Sequence, residues 1–154
     1  MTVQFEKALE SDCELIIELN NKAYHSDFIR YGECPGYNVP VEQMRTSLLE
    51  SETQKFIVYA NQLPIGVISV KKIAEQSYFL GNLCIIPEYQ SKGYGKQAID
   101  FVLSHFTDLK ELSLVTPADK VENIYFYTKK CGFLVTGTIQ EGNVTLADII
   151  YKKA

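Results

Sequence analysis

The fold of this chain is decided by residues 80–95, which read LGNLCIIPEYQSKGYG. The apolar residues 80–86 predict a strand, and the glycine-containing loop 90–95 follows it. Residues 96–106 come next, and their apolar side chains fall on one face of a predicted helix. A strand that leads through such a loop into a helix directs backbone N–H groups and the positive end of the helix dipole at one point. That point suits a phosphate or a pyrophosphate.

The bulk composition limits the class of protein. The chain has 154 residues, of which 46% are hydrophobic and 22% charged, so we expect one globular domain over residues 1–154. A net charge of −4 argues against nucleic-acid and anionic-membrane partners. No apolar run approaches the roughly 20 residues of a membrane-spanning helix. Residues 1–6 also lack the basic start and the long apolar middle of a signal peptide.

The cysteines bear on metal binding and on the cellular compartment. Four of them are widely spaced, at Cys13, Cys34, Cys84 and Cys131. There is no Cys-x-x-Cys pair and no cluster with histidine, so we expect no metal site. An even number would allow two disulfides, but without a secretory signal free thiols are the better interpretation. We therefore predict a cytoplasmic protein.

The remaining periodicities predict the order of strands and helices. We expect strands over residues 2–7, 55–60, 65–72, 76–86, 111–116, 133–140 and 144–152, and helices over 11–23, 41–49, 96–106 and 121–130. Ser11 and Glu14 have the spacing of a capping box at the first helix, and residues 24–40 are expected to be irregular. The order β-α-α-β-β-β-α-β-α-β-β predicts an α/β (α+β) fold. Its central sheet is expected to be mixed and mostly antiparallel, with about seven strands and helices on both faces.

A Gly-x-Gly pair by itself does not identify the ligand of the loop. The dinucleotide fingerprint Gly-x-Gly-x-x-Gly has Ala98 in its last position, which weakens that interpretation without excluding it. A P-loop is disfavoured more clearly. It requires Ser or Thr after the Gly-Lys pair, and Gly95-Lys96 is followed by Gln97.

The wider pattern resembles the acetyl-CoA motif of the GNAT superfamily of N-acetyltransferases. Residues 83–95 contain an apolar strand, then Pro, an aromatic residue, Gln and the two glycines at the spacing of that motif. Residues 126–133, FYTKKCGF, resemble the aromatic-Tyr and Gly-Phe segment of the family. The predicted order of elements is also that of the family. The resemblance therefore covers essentially the whole chain.

The resemblance implies that acetyl-CoA is the acetyl donor, with no metal. The backbone amides of residues 91–96 would hold the pyrophosphate, and the preceding strand would pair its backbone with the pantetheine arm. An amide near Ile85 would polarise the thioester carbonyl. Lys92 and Lys96 would add positive charge or would be ordinary surface lysines. The cofactor-binding residues implied in this way are Leu83, Cys84, Ile85, Gln90, Ser91, Lys92, Gly93, Tyr94, Gly95, Lys96 and Asn123.

Asn123 belongs to that set for a separate reason. Many family members have an Asn about seven residues before the catalytic Tyr, and that position here is Lys120. Asn123 would substitute for the missing Asn, or it would be an ordinary residue of the helix surface.

The reaction implied by the resemblance is direct acetyl transfer to a primary amine of a small molecule or peptide. Tyr127 is the family-equivalent donor to the departing thiolate, and Tyr125 is the alternative. Since a phenol has a pKa near 10 and a thiol near 8.5, we expect hydrogen-bond stabilisation followed by late proton transfer. The family spacing would put the tyrosine four residues before Gly132, at the position that Thr128 occupies here. Tyr127 lies one residue earlier. We interpret Lys129-Lys130 as carrying a one-residue insertion in the helix–strand turn.

The acceptor and the base are less well determined. His25, Asp27 and Glu33 are candidate bases, and the resemblance implies that residues 28–37 border the acceptor pocket, although their aromatic side chains would equally suit a lid on the core. Homodimerisation is left open, since family members often dimerise. The competing function is a non-catalytic acyl-CoA-binding or sensor domain, which would keep the loop and lose the chemistry.

Overall fold

The computed structural model describes residues 3–154 as one central sheet with helices packed against it. The strands are β1 (Val3–Lys7), β2 (Thr53–Ala60), β3 (Leu63–Ala74), β4 (Ser77–Ile85), β5 (Glu111–Pro117), β6 (Leu134–Glu141) and β7 (Val144–Lys152). The helices are α1 (Cys13–Tyr31), α2 (Val41–Leu48), α3 (Tyr94–His105) and α4 (Val121–Tyr125), which continues as a π-helical segment, Phe126–Lys130. The predicted order of elements is confirmed. The first predicted strand began at Thr2, which lies outside the described residues.

The sheet has the strand order β1-β2-β3-β4-β5-β7-β6. The pair β4–β5 is parallel and the other pairs are antiparallel, so the predicted mixed, mostly antiparallel sheet of seven strands is confirmed. A parallel pair needs a crossover connection, and α3 provides it between β4 and β5. The loop that precedes α3 therefore lies at the carboxyl end of β4.

The two parallel strands pair over only part of their length. Ser77–Phe79 of β4 pair with Glu111–Ser113 of β5, and their pairing ends there. Leu80 pairs with Val70 and Asn82 with Ser69 of β3, so Gly81 between them is the extra residue of a β-bulge. Because a bulge bends its strand, β4 turns away from β5 directly after their last pair. The carboxyl ends of the two strands therefore separate, and we call the space between them the cleft.

The alternation of an antiparallel ladder decides which backbone groups face that cleft. The N–H of Ile86 donates to the carbonyl of Ile65 on β3 at 2.8 Å. The residues Ile86 and Ile65 thus form a hydrogen-bonded pair. Since hydrogen-bonded and non-hydrogen-bonded pairs alternate along the ladder, the pairs Ile85–Gly66 and Leu83–Ile68 are non-hydrogen-bonded. Leu83 and Ile85 therefore direct their backbone N–H and C=O groups away from β3 and into the cleft.

The first helix differs from its prediction at both ends. It has 19 residues and runs to Tyr31, so the expectation of an irregular segment from residue 24 was wrong for its first half. Residues 13–31 contain neither Gly nor Pro, and the helix ends where Gly32 adopts φ 74° and its N–H donates to the carbonyl of Phe28 at 2.8 Å. The predicted Ser11–Glu14 capping box is also wrong. A 3₁₀ turn occupies Glu10–Asp12, and the N-cap of α1 is Asp12.

The core lies between the sheet and the helices. Its fully buried side chains come from α1, from the β2–β4 meander and the crossover, from β5 and β7, and from the segment after α4; the largest are Phe133, Ile16, Ile57, Ile65, Ile68, Ile99, Leu109, Leu112 and Ile149. All four cysteines are free thiols. Within residues 3–154 the helices include none with the length and apolarity that a bilayer crossing requires.

Candidate active site

The loop after β4 is held in shape by one side chain and by left-handed backbone. Gln90 donates from Nε2 to the carbonyl of Ile85 at 2.8 Å, which ties the loop back to the end of the strand. Ser91 and Gly93 have φ 61° and 90°, and α3 begins at the next residue, Tyr94. A β-carbon added at Gly93 would have no heavy atom within 4 Å, so glycine serves here through its conformation and leaves the space beside it open.

The start of α3 offers backbone donors to that space. The first hydrogen bond of the helix runs from the N–H of Gln97 to the carbonyl of Gly93 at 3.2 Å. The N–H groups of Gly95 and Lys96 have no acceptor in the part of the chain that the structure describes, as expected for a first helical turn. The Tyr94 side chain is buried, and its ring lies 6.2 Å from that of Tyr89, so it contributes packing. Unbonded first-turn amides and a helix dipole are the features by which a helix N-terminus binds anions, and the anion site at this loop stays a prediction.

The two lysines of the loop have different surroundings. Lys96 Nζ lies 2.5 Å from Asp100 Oδ1, one helical turn along α3, and this carboxylate raises the pKa of Lys96. Lys92 is exposed and has no ion pair with any residue from 3 to 154. Lys92 therefore keeps its whole charge available to an anionic ligand, whereas Lys96 shares its charge with Asp100.

The two sequence motifs meet in space. A β-carbon added at Gly95 would lie 3.1 Å from Cζ of Phe126, so the first turn of α3 packs closely on the segment that follows α4. Tyr127 comes next in that segment and is 7% exposed. Its ring contacts those of Phe126 and Phe133, with centroid distances of 5.0 and 5.5 Å. The start of α3 and the segment that contains Tyr127 are therefore packed neighbours.

The Tyr127 side chain is buried, and its hydroxyl is available as a donor. Burial raises its pKa above the ordinary value, and the neighbouring thiols of Cys131 and Cys84 add to this effect. The group therefore keeps its proton. The hydrogen bonds among residues 3–154 include none from this hydroxyl, and no fully buried side-chain oxygen there lacks a partner, so the hydroxyl oxygen reaches the accessible surface. The thiol of Cys84, in the outer half of β4, is close enough to contribute to its raised pKa. The alternative, Tyr125, has 58% of its surface exposed.

The extra residue between Tyr127 and Gly132 is accommodated inside the helix. Phe126–Lys130 form a π-helical turn, which contains one more residue than an α-helical turn. Thr128, which holds the strict family position, donates instead from Oγ1 to the carbonyl of Ile124 at 2.7 Å. The expectation of an insertion in the helix–strand turn was therefore wrong. The N–H of Phe133 closes the segment on the carbonyl of Tyr127 at 3.0 Å, six residues back and one more than in a Schellman motif, so the extra residue lies within Phe126–Lys130.

A buried polar network connects α1 to the splayed half of β4. Tyr24 donates its hydroxyl to Oδ1 of Asn82, and Asn82 donates from Nδ2 to Oδ1 of Asn20 at 2.9 Å. The thiol of Cys84 points to the same Asn20 oxygen at 3.3 Å, and burial raises its pKa to about 12. Sequence reasoning missed Asn20, Asn82 and Tyr24. The available signal was an asparagine within each of two apolar stripes, since buried amides require partners.

The three candidate bases are all engaged by other side chains or by the backbone. Asp27 accepts from Lys120 Nζ at 2.8 Å with each of its two oxygens. Glu33 accepts from the N–H of Asn143 in the β6–β7 turn at 3.3 Å. His25 has Nδ1 3.0 Å from the hydroxyl of Tyr37. His25 also lines a shallow groove between α1 and the loop, together with Asn21, Lys22, Pro87 and Glu88.

The position expected for a cofactor-binding asparagine is thus taken by an ion-paired lysine, Lys120. Asn123 lies on α4 and donates from Nδ2 to Oγ1 of Thr116 at 3.0 Å. Thr116 is buried near the end of β5, so Asn123 borders the cleft from that strand. Among residues 3–154 no group of three or more His, Cys, Asp or Glu side chains could hold a metal ion.

Comparison with known proteins places this geometry in a family. The family model described as acetyltransferase (GNAT) family matches residues 6–133. The chain is also 25% identical over 127 residues to the UPF0157 protein YqkA of Bacillus subtilis (strain 168), and the match covers 80% of this chain. The chain spans 36% of the length of that curated relative.

Solved structures share the fold along nearly the whole chain. The PaiA N-acetyltransferase of Thermoplasma acidophilum in complex with coenzyme A has a TM-score of 0.79 at 20% identity, covering 99% of this chain and 100% of that one. An acetyltransferase of Thermus thermophilus gives 0.78 at 19%, covering 99% and 98%. Spermidine N-acetyltransferase of Vibrio cholerae, in complex with CoA and spermine, gives 0.74 at 18%, covering 97% and 95%.

Proposed function

The chain belongs to the acetyltransferase (GNAT) family, and on that premise we propose that it is an N-acetyltransferase that moves an acetyl group from acetyl-CoA to a primary amine of a small molecule or peptide. The observation that carries the proposal is the splayed end of β4. Its cleft-facing backbone groups lead into the amide-rich loop, and Cys84 between them is close enough to Tyr127 to contribute to its raised pKa. Acetyl-CoA has phosphates that would suit the loop, an amide-containing arm that would suit the backbone of β4, and a thioester that would lie near Tyr127.

On the donor side, each group has a role that fits its position. The amides of Gly93, Gly95 and Lys96 would hold the pyrophosphate, with Lys92 adding charge. The cleft-facing groups of Leu83 and Ile85 would pair with the arm in place of the missing β5 partner. The N–H of Ile85 would polarise the thioester carbonyl. The carbonyl of Ile85 already accepts from Gln90, which orients this end of the strand.

On the chemical side, the new C–N bond forms as the C–S bond breaks. An amine attacks only when neutral, so its ammonium form, with a pKa of about 10, must first lose a proton to water or a carboxylate. The departing sulfur then needs stabilisation, and Tyr127 is the donor we propose. Its raised pKa favours hydrogen-bond donation over early proton transfer, because the phenol remains a weaker acid than a thiol.

The decisive experiment measures thiol release from acetyl-CoA against a panel of primary amines that includes spermidine and N-terminal peptides. Turnover with any of these amines supports the enzyme. Tight acetyl-CoA binding with no turnover for the entire panel would instead favour the acyl-CoA-binding or sensor function. We further propose that residues 1–154 act as a single acetyltransferase domain and that the protein is cytoplasmic, which its four free cysteines support.

A further inference from the structure

We propose that the Asp27 carboxylate is the subsite for the ammonium group of a cationic primary-amine acceptor, and that Lys120 fills this subsite in the free protein. The inference rests on the proposed acetyl transfer and specifies its acceptor side. It makes Asp27 a binding residue and Lys120 an internal competitor of the acceptor.

The burial of this pair sets it apart. The Asp27 and Lys120 side chains are 14% and 19% exposed, whereas every other ion pair between described residues has both side chains at least 39% exposed. Removing two charges from water costs free energy that the attraction between them often fails to recover. This partly buried pair is thus weak evidence for stability and leaves room for a role in binding.

The pair also lies between the elements that form the site. Asp27 is one helical turn after Tyr24, whose hydroxyl bonds to Asn82 on the splayed half of β4. Lys120 is the N-cap of α4 and lies seven positions, about two turns, before Tyr127. Tyr24 is close enough to both Asp27 and Tyr127 that each contributes, after burial, to its raised pKa. An ammonium on Asp27 would therefore lie on the acceptor side of the cleft near the proposed proton donor.

Lys120 can leave Asp27 without loosening the surrounding backbone. Tyr31 donates its hydroxyl to Oδ1 of Asp119 at 2.7 Å, and Arg30 Nη2 donates to the carbonyl of Asp119 at 3.1 Å. These bonds fasten the end of α1 to the start of α4 beside the buried pair. The lysine head is on a flexible four-carbon stem, so it can exchange its carboxylate partner for water. An alkylammonium has the same charge and the same N–H donors as Lys120, and it would replace Lys120 on both oxygens of Asp27.

The test is calorimetric binding of spermidine and of n-butylamine to protein saturated with coenzyme A. The variants are Asp27→Asn, Lys120→Met and the double variant, and the matched controls are Lys72→Met and Asp108→Asn from an exposed pair with a 3.0 Å contact. We expect Lys120→Met to bind the amines about tenfold more tightly, since the competitor is gone. Asp27→Asn and the double variant should bind them about tenfold or more weakly. Both controls should match the wild type.

Each other outcome has a defined meaning. Amine binding by Asp27→Asn at wild-type strength, or the failure of Lys120→Met to bind either amine more tightly, overturns the inference. The double variant leaves no unpaired buried charge and is expected to fold, which its thermal midpoint and coenzyme A affinity check. Thiol release by the wild type is measured separately. Its absence, with amine binding following the expected pattern, would refute acetyl transfer and leave the subsite standing.

Discussion

The proposed donor side and the proposed acceptor side of the cleft are built in different ways. The donor side consists mainly of backbone: a bulge at Gly81, the cleft-facing groups of Leu83 and Ile85, a left-handed Gly93 and the first amides of α3. The acceptor side consists of side chains that meet from distant parts of the chain, such as Asp27 with Lys120. A backbone-built surface suits a ligand that never changes, whereas a surface of side chains can be altered by single substitutions. We therefore expect substitutions on the two sides to separate cofactor affinity from acceptor affinity.

The largest effect is expected at the boundary between the two sides. Tyr127→Phe should lower the rate of acetyl transfer about a hundredfold, because general acid catalysis contributes at least that much when a donor is well placed. The affinities for acetyl-CoA and for the amine should change little. Tyr125→Phe is the matched control. Steady-state kinetics with thiol detection gives kcat and the KM for each substrate. If Tyr125→Phe loses the rate and Tyr127→Phe keeps it, the donor role moves to Tyr125.

The next effect isolates the donor side. Gly93→Val should weaken coenzyme A binding about tenfold or more, because a β-branched residue is strained at φ 90° and would shift the amides of the loop. Gly137→Val is the control, since Gly137 lies in β6, outside the left-handed region, with no heavy atom within 4 Å of an added β-carbon. Calorimetric titration with coenzyme A measures the difference. Equal affinity of both variants and the wild type would contradict the assignment of the loop.

The smallest expected effect isolates the acceptor side. Tyr24→Phe removes the donor to Asn82 and should lower the free energy of unfolding by about 1–2 kcal/mol, since a buried hydrogen bond is lost. Amine affinity should fall with it because α1 is held less firmly on β4, and coenzyme A affinity should stay the same. Tyr59→Phe serves as the control. Urea unfolding and two titrations test this, and a loss of coenzyme A affinity for Tyr24→Phe would show that the two sides are not separable.

The difference in construction also explains what the sequence revealed. The strand, the turn and the helix start of the proposed donor side were predicted, because they are contiguous and each has a local signature in residues 80–95. The end of α1 was missed because aromatic and polar residues without an apolar period conceal a helix that tertiary contacts stabilise. The Asp27–Lys120 pair joins residues that are 93 positions apart. No local pattern encodes such a contact.

The π-helical turn was predicted only in part from the sequence. The spacing between Tyr127 and Gly132 disclosed the extra residue, but spacing alone cannot tell a longer turn from a wider helix. The structure settles this with a π-helical turn in which Phe126 packs on Gly95 and Tyr127 is buried. The helix therefore widens over Phe126–Lys130, and the tyrosine lies within the widened turn.

The alternation of β4 has a consequence for amide hydrogen exchange. From Asn82 to Ile86, every second N–H is directed at β3 and should exchange slowly, while those of Leu83 and Ile85 face the cleft without a partner strand and should exchange fast. Filling the cleft would protect these two amides and leave their neighbours unchanged. The exchange rates of these amides would then measure ligand binding in the cleft, without any need for turnover.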